Sequence, residues 1–123
     1  MAYGDAVTDA ELDIMKVLWK NGSSTSSAIF TALTDDNRMK MGTLKTLLSR
    51  LVKKGSVRCK EINLRHYMYY PVLTEDDYIE INRRRLVDKV FDGSTQDLLL
   101  NIVRAEKIPR EDLESLIRVI END

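Results

Sequence analysis

The stretch KMGTLKTLLSRLVKK, Lys40 to Lys54, places short hydroxyls, long cations and leucines at a helical spacing. Leu44, Leu47, Leu48 and Leu51 recur at i, i+3, i+4 and i+7 and share one face. Gly42, Thr46, Ser49, Arg50 and Lys53 share the opposite face, with Thr43 and Lys45 on its flanks and no acid among them. A solvated helix usually mixes both signs of charge, whereas a surface of one sign attracts the other. Small residues at the front of a helix let it sit deep in a groove, where lysines and hydroxyls reach base edges. The chemistry expected here is recognition of duplex DNA. An ordinary amphipathic helix with a basic outer face is the plainer alternative.

The rest of the chain sharpens that contrast. Residues 37–66 hold nine cations, Arg38, Lys40, Lys45, Arg50, Lys53, Lys54, Arg58, Lys60 and Arg65, against Glu61 alone. The flanking segments are both acidic, and the whole chain has a net charge of −1. A concentrated basic block in an acidic chain is the footprint of a phosphate-backbone binder. Catalytic chemistry finds no support: His66 is the single histidine, and there is no glycine-rich phosphate loop and no metal-ligand spacing. Paired carboxylates such as Asp76 and Asp77 sit at a helix start, where capping accounts for them. Cys59 is the one cysteine, which rules out an internal disulfide and suits a reducing cytoplasm. No apolar run approaches the length of a membrane span, and the start lacks the layout of a signal peptide.

Around the basic helix the elements follow in a simple order. Thr8-Asp-Ala-Glu11 is a capping box that opens a helix reaching about Lys20, stopped by Asn21-Gly22. Leu12, Ile14, Met15, Val17, Leu18 and Trp19 cover most of its circumference, so it is expected to be buried on more than one side. Ser23 to Ser27 predicts a short extended piece and an N-cap, with phosphate contact as the alternative use of its hydroxyls. A second helix with Ile29, Phe30 and Leu33 then ends near Thr34, and Asp35-Asp36-Asn37-Arg38 reads as a polar turn. After Gly55, VRCKEI and HYMYYPV around a turn at Asn63-Leu64-Arg65 predict two antiparallel strands. The fold expected is mainly α with a small β wing: a winged helix-turn-helix over residues 1–73. Arg58, Lys60 and Arg65 of the wing are expected to reach phosphates or a minor groove, beside Lys40, Gly42, Thr43, Lys45, Thr46, Ser49, Arg50, Lys53 and Lys54 of the helix.

Residues 74–123 read as three further helices. Thr74-Glu-Asp-Asp77 opens the first, Ser94-Thr-Gln-Asp97 the second, and Pro109 marks the third. Arg83-Arg84-Arg85 has acidic neighbours and reads as a solvated face. About fifty residues make a marginal core alone, so the apolar set Ile79, Leu86, Val90, Leu98, Leu99, Ile102, Leu113, Leu116, Ile117 and Ile120 is expected to meet a second copy of the chain. A dimer also suits two heads reading an inverted repeat.

The chain resembles the penicillinase repressor family, the BlaI/MecI/CopY group of bacterial transcription regulators. The resemblance covers nearly the whole length. It is carried by AELDIMKVLW, GTLKTLLSRLVKKG, YMYYPVL, TEDD and LLLNIV, with Thr43, Lys45, Thr46, Leu47, Arg50, Leu51, Lys53 and Lys54 matching the family's most specific string. It implies a homodimeric repressor with an N-terminal winged helix and a three-helix dimerisation region. It implies a dyad-symmetric operator overlapping a promoter. In members of the β-lactam-resistance type it also implies a membrane-bound sensor protease and cleavage after an asparagine, here Asn101, whose following residue is Ile102 where the family usually has phenylalanine. The copper-responsive branch carries a Cys-x-Cys signature that this sequence lacks; Met39, Met41, Cys59, His66 and Met68 are the soft ligands near one another, and packing roles are expected for them. The alternatives are therefore a copper-responsive repressor and a winged helix used for protein contacts. No cofactor or metal is expected.

Overall fold

The computed structural model describes residues 6–33 and 39–122. The expected helix end at Thr34 and the polar turn at 35–38 lie outside them. The described elements are α1 (Asp9–Asn21), β1 (Ser24–Thr25), α2 (Ser26–Leu33), α3 (Met41–Lys54), β2 (Val57–Asn63), β3 (His66–Pro71), α4 (Glu75–Val90), α5 (Thr95–Glu106) and α6 (Arg110–Glu121). They fall into two compact units, one through Ile79 and one from Glu80 onward.

The first unit is a winged helix. The Thr8–Glu11 capping box forms in both directions: the Glu11 amide donates to Thr8 Oγ1 and the Thr8 amide donates to the Glu11 carboxylate. Ile14, Met15 and Leu18 of α1, Ile29 and Leu33 of α2, and Leu44, Leu47, Leu48 and Leu51 of α3 form the core, joined by Val57 and Leu73. Each of these aliphatic side chains contributes about 1.5–3 kcal/mol by leaving water. The three-helix core sets the angle at which α3 offers its outer face.

A glycine and a serine fix the step from α3 to the wing. Gly55 adopts the left-handed conformation (φ 84°) that a side chain disfavours. Its N–H donates to Val52 O, and the Ser56 N–H donates to Leu51 O at 3.0 Å, the paired closure of a Schellman motif. The carbonyl of the fully buried Ser56 then accepts from the amides of Val72 and Leu73, at 2.9 and 3.1 Å. Trp19 Nε1 donates to Leu73 O at 2.8 Å, and its ring tilts against Tyr78 at 5.7 Å. The end of α3 and both feet of the wing are thereby pinned to one another.

The wing itself is larger than the two strands expected. The sheet order is β1-β3-β2, all antiparallel, with Ser24 opposite Tyr69 and Thr25 opposite Met68. The added strand is the short extended piece expected within Ser23–Ser27; its pairing with β3 had no signal in the sequence. β2 and β3 turn at Leu64-Arg65, where Arg65 takes a positive φ of 63°.

In the second unit α5 starts at Ser94, whose side chain accepts from the Asp97 amide, and α6 starts after Pro109. Val87 is the one buried apolar side chain among its described residues. Neither α5 nor α6 has a buried residue within the protomer. No helix among the described residues is long and apolar enough to cross a membrane.

Candidate nucleic-acid interface

α3 separates its two faces as its leucine spacing predicts. Gly42, Thr43, Lys45, Thr46, Ser49, Arg50 and Lys53 are exposed, as is Lys40 at the N-cap. A Cβ built on Gly42 meets nothing within 4 Å, so the protein's own packing does not demand a glycine there. Thr46 Oγ1 donates to the Gly42 carbonyl at 3.0 Å.

Beside this face lies an open cleft of about 530 Å³, lined by Thr25, Ser26, Ser27, Lys45, Ser49, Arg65, His66, Tyr67 and Tyr69. Three elements build it: the start of α2, the outer flank of α3 and the inner face of the wing. Thr25 has a capping role, because Ala28 N–H donates to its Oγ1 at 3.2 Å. Ser24 is turned inward and donates to Gly22 O. Ser26 and Ser27 face the cleft with Lys45 and Arg65. Of the wing cations, Arg65 lines the cleft. Arg58 and Lys60 are exposed, but they stand opposite Tyr70 and Met68 and so leave the ribbon on the face away from Tyr67 and Tyr69. Cys59 stands opposite Tyr69, and Met68 points to the other face, so these two soft ligands do not converge. Burial raises the Tyr69 pKa, with Cys59 adding to the effect.

Lys54, expected to meet phosphate, is instead engaged within the protein. Its ammonium is 2.5 Å from Glu11 Oε1 and 2.9 Å from the carbonyl of Ala6. The Glu11 side chain is 1% exposed and that of Lys54 18%. The last turn of α3 carries this lysine round to the start of α1, away from the outer face. Burial works against the Glu11 charge, but hydrogen bonds from Lys54 and Thr8 outweigh it, and the pKa lies below the usual 4.5. A lowered pKa means stability that is fully present above pH 4.5 and lost as pH falls through the folded-state value. Acid titration of unfolding should show that loss in the wild type, and Glu11→Gln should remove its share of the acid limb.

His66, Tyr67 and Tyr69 escape a reading based on charge: Tyr67 and Tyr69 reach the cleft from the wing's inner face, and His66 from the end of β3 beside Arg65. In the second unit Ile102, Leu86, Val90, Leu99, Leu116, Ile117 and Ile120 are exposed, Leu98 and Leu113 half-buried; Ile79, also exposed, belongs to the first unit. Asn101 is exposed in the middle of α5, in an open cleft of about 540 Å³ with Phe91, Asp97, Leu100, Arg104 and Ala105.

A three-helix core, a small wing and a cationic, acid-free helix face define a winged-helix DNA-binding regulator. Residues 7–122 match the sequence profile of the penicillinase repressor family. The chain belongs to that family: it is a BlaI/MecI-type DNA-binding transcriptional repressor, not an enzyme. It is 29% identical over 115 residues to the penicillinase repressor of Bacillus licheniformis, covering 94% of this chain and 89% of that one. It is 25% identical over 114 residues to the methicillin resistance regulatory protein MecI of Staphylococcus aureus, covering 93% and 92%. The solution structure of monomeric Bacillus licheniformis BlaI in complex with the blaP half-operator superposes with a TM-score of 0.52 and 34% identity, over 60% of this chain and 89% of that chain.

Proposed function

We propose that the chain acts in the cytoplasm as a homodimer that holds two winged-helix heads on a dyad-symmetric operator overlapping a promoter. Residues 1–73 serve as the head and residues 74–123 as the dimerisation region. The observation that carries this reading is the exposed outer face of α3 with the cleft beside it. In this reading Gly42, Thr43, Lys45, Thr46 and Ser49 approach bases, and the open space at Gly42 lets the duplex come close. Lys40, Arg50, Lys53 and the wing cation Arg65 take phosphates, while Arg58 and Lys60, on the other face of the ribbon, add only to the positive field. Similarity to the BlaI structure solved with its half-operator supports DNA binding by this head.

Release follows from the second unit. We place the inducing cut between Asn101 and Ile102, made by a membrane-bound sensor protease in a β-lactam response. The bond lies within α5, so the helix opens locally before a protease can hold it extended. The cut separates Leu98, Leu99 and Leu100 from Ile102 and α6, and the two heads lose their shared binding event.

The test is a gel-shift series over increasing salt. Affinity falls steeply with salt as counterions leave the duplex. Lys53→Ala weakens every sequence alike and flattens that slope by about one unit. Binding that ignores salt would overturn the assignment.

A further inference from the structure

The outer face of α3 carries three exposed hydroxyls at Thr43, Thr46 and Ser49. They are not equivalent. Thr46 Oγ1 donates to the Gly42 carbonyl one turn back. A threonine hydroxyl has one proton and two lone pairs, so this bond uses its only donor. A threonine in a helix divides between two χ1 rotamers, and the bond to the Gly42 carbonyl selects the one that places the oxygen here. Thr43 and Ser49 make no comparable bond among the described residues, so their hydroxyls keep a proton to donate. What Thr46 offers outward is lone-pair density and a methyl group.

We infer that Thr46 is an acceptor-only reader of the major groove, taking a hydrogen bond from an exocyclic amino group, adenine N6 or cytosine N4. This rests on the DNA-binding reading above and assigns one polarity to one position in it. Every base pair offers one amino group in the major groove, but at a different place across it. An acceptor fixed on the helix therefore selects among pairs by where that group falls. A base carbonyl or ring nitrogen at the same place meets lone pairs instead of a proton. Thr43 and Ser49 carry no such restriction and accept either partner.

The experiment compares the full-length protein with Thr46→Val and Thr46→Ser. Valine keeps the branched shape and loses the hydroxyl; serine keeps the hydroxyl. Each protein first selects duplexes from a randomised pool. Affinity is then measured on the wild-type winner and on copies with single amino groups deleted, purine replacing adenine or a pyrimidinone replacing cytosine. Thr46→Val should keep its helical signal and its salt slope but lose about threefold to tenfold on the winner, the range of one hydrogen bond. Its own selection should lose preference at one base pair, and serine should restore it. Deleting the amino group at that pair should cost the wild type the same factor and cost the valine variant nothing, as a double-mutant cycle requires. Which analogue carries the cost identifies the base as adenine or cytosine. Unchanged preference in Thr46→Val, or amino deletions that weaken both proteins equally, overturns the inference while sequence-specific binding by the wild type stands. A wild type that enriches no sequence overturns the DNA-reading assignment itself.

Discussion

Lys54→Met is expected to destabilise the winged-helix unit by about 3 kcal/mol, while the slope of DNA affinity against salt stays at its wild-type value. The reason is the environment of Glu11. Its side chain is 1% exposed, and Oε1 receives the Lys54 ammonium and the Thr8 amide, while Oε2 is buried with no partner among the described residues. Removing the lysine strands a buried carboxylate. Breaking such a pair from one side costs about 3–5 kcal/mol; the partial exposure of Lys54 places the effect at the lower end. Methionine retains the length of the stem, so packing changes little. Replacing both partners by apolar residues, Glu11→Leu with Lys54→Met, should recover most of the loss, because two apolar groups need no pairing. Urea unfolding measures the stability and a salt titration of DNA binding measures the slope. A Lys54→Met protein of wild-type stability whose slope drops by one would return Lys54 to the phosphates. The neighbouring Lys53→Ala should give the reverse pattern, with the slope reduced and stability kept.

Leu116→Glu is expected to convert the protein to a protomer at micromolar concentration and to cost about 10²–10⁴ in affinity for a two-site operator. Leu116 lies on the α6 stripe with Leu113, Ile117 and Ile120; Leu116, Ile117 and Ile120 are exposed within the protomer. A carboxylate there is harmless to a lone protomer in water but costly in a desolvated interface. Binding to a single half-site should stay at the wild-type level, because the head is untouched. Sedimentation of both proteins and gel shifts on one-site and two-site duplexes separate these effects. A wild type that sediments as a protomer at that concentration would remove the basis of the proposal.

The parts of the fold that repeat were legible in the sequence. The leucines of α3 and the Thr8–Glu11 capping box follow from local spacing, and the structure contains both. The short extended piece within Ser23–Ser27 was legible, but its place in the sheet was not, since two hydroxyl residues become a strand only when Met68 and Tyr69 lie opposite them. The pairing of Lys54 with Glu11 is hidden by a count of charge, which sets the lysine beside the other cations of the basic helix. Its position carried a warning. Lys54 lies three residues after Leu51 and seven after Leu47, on the apolar stripe. Glu11 lies three before Ile14, four before Met15 and seven before Leu18, on the apolar stripe of α1. Two opposite charges, each seated on the buried face of its own helix, are the mark of an internal ion pair. The cleft-lining His66, Tyr67 and Tyr69 had no such mark, because their contribution depends on where a distant strand brings them.

The hydrogen bonds converging on Ser56 make the head behave like a fixed caliper. One jaw is α3, the other is the wing, and the pivot between them is locked by main-chain bonds that no change of rotamer can loosen. An instrument of constant gape suits a helix whose major groove is wide enough for a rod. The deep and narrow major groove of double-stranded RNA admits no such rod, so a head that cannot flex is matched to the wider groove of B-form DNA.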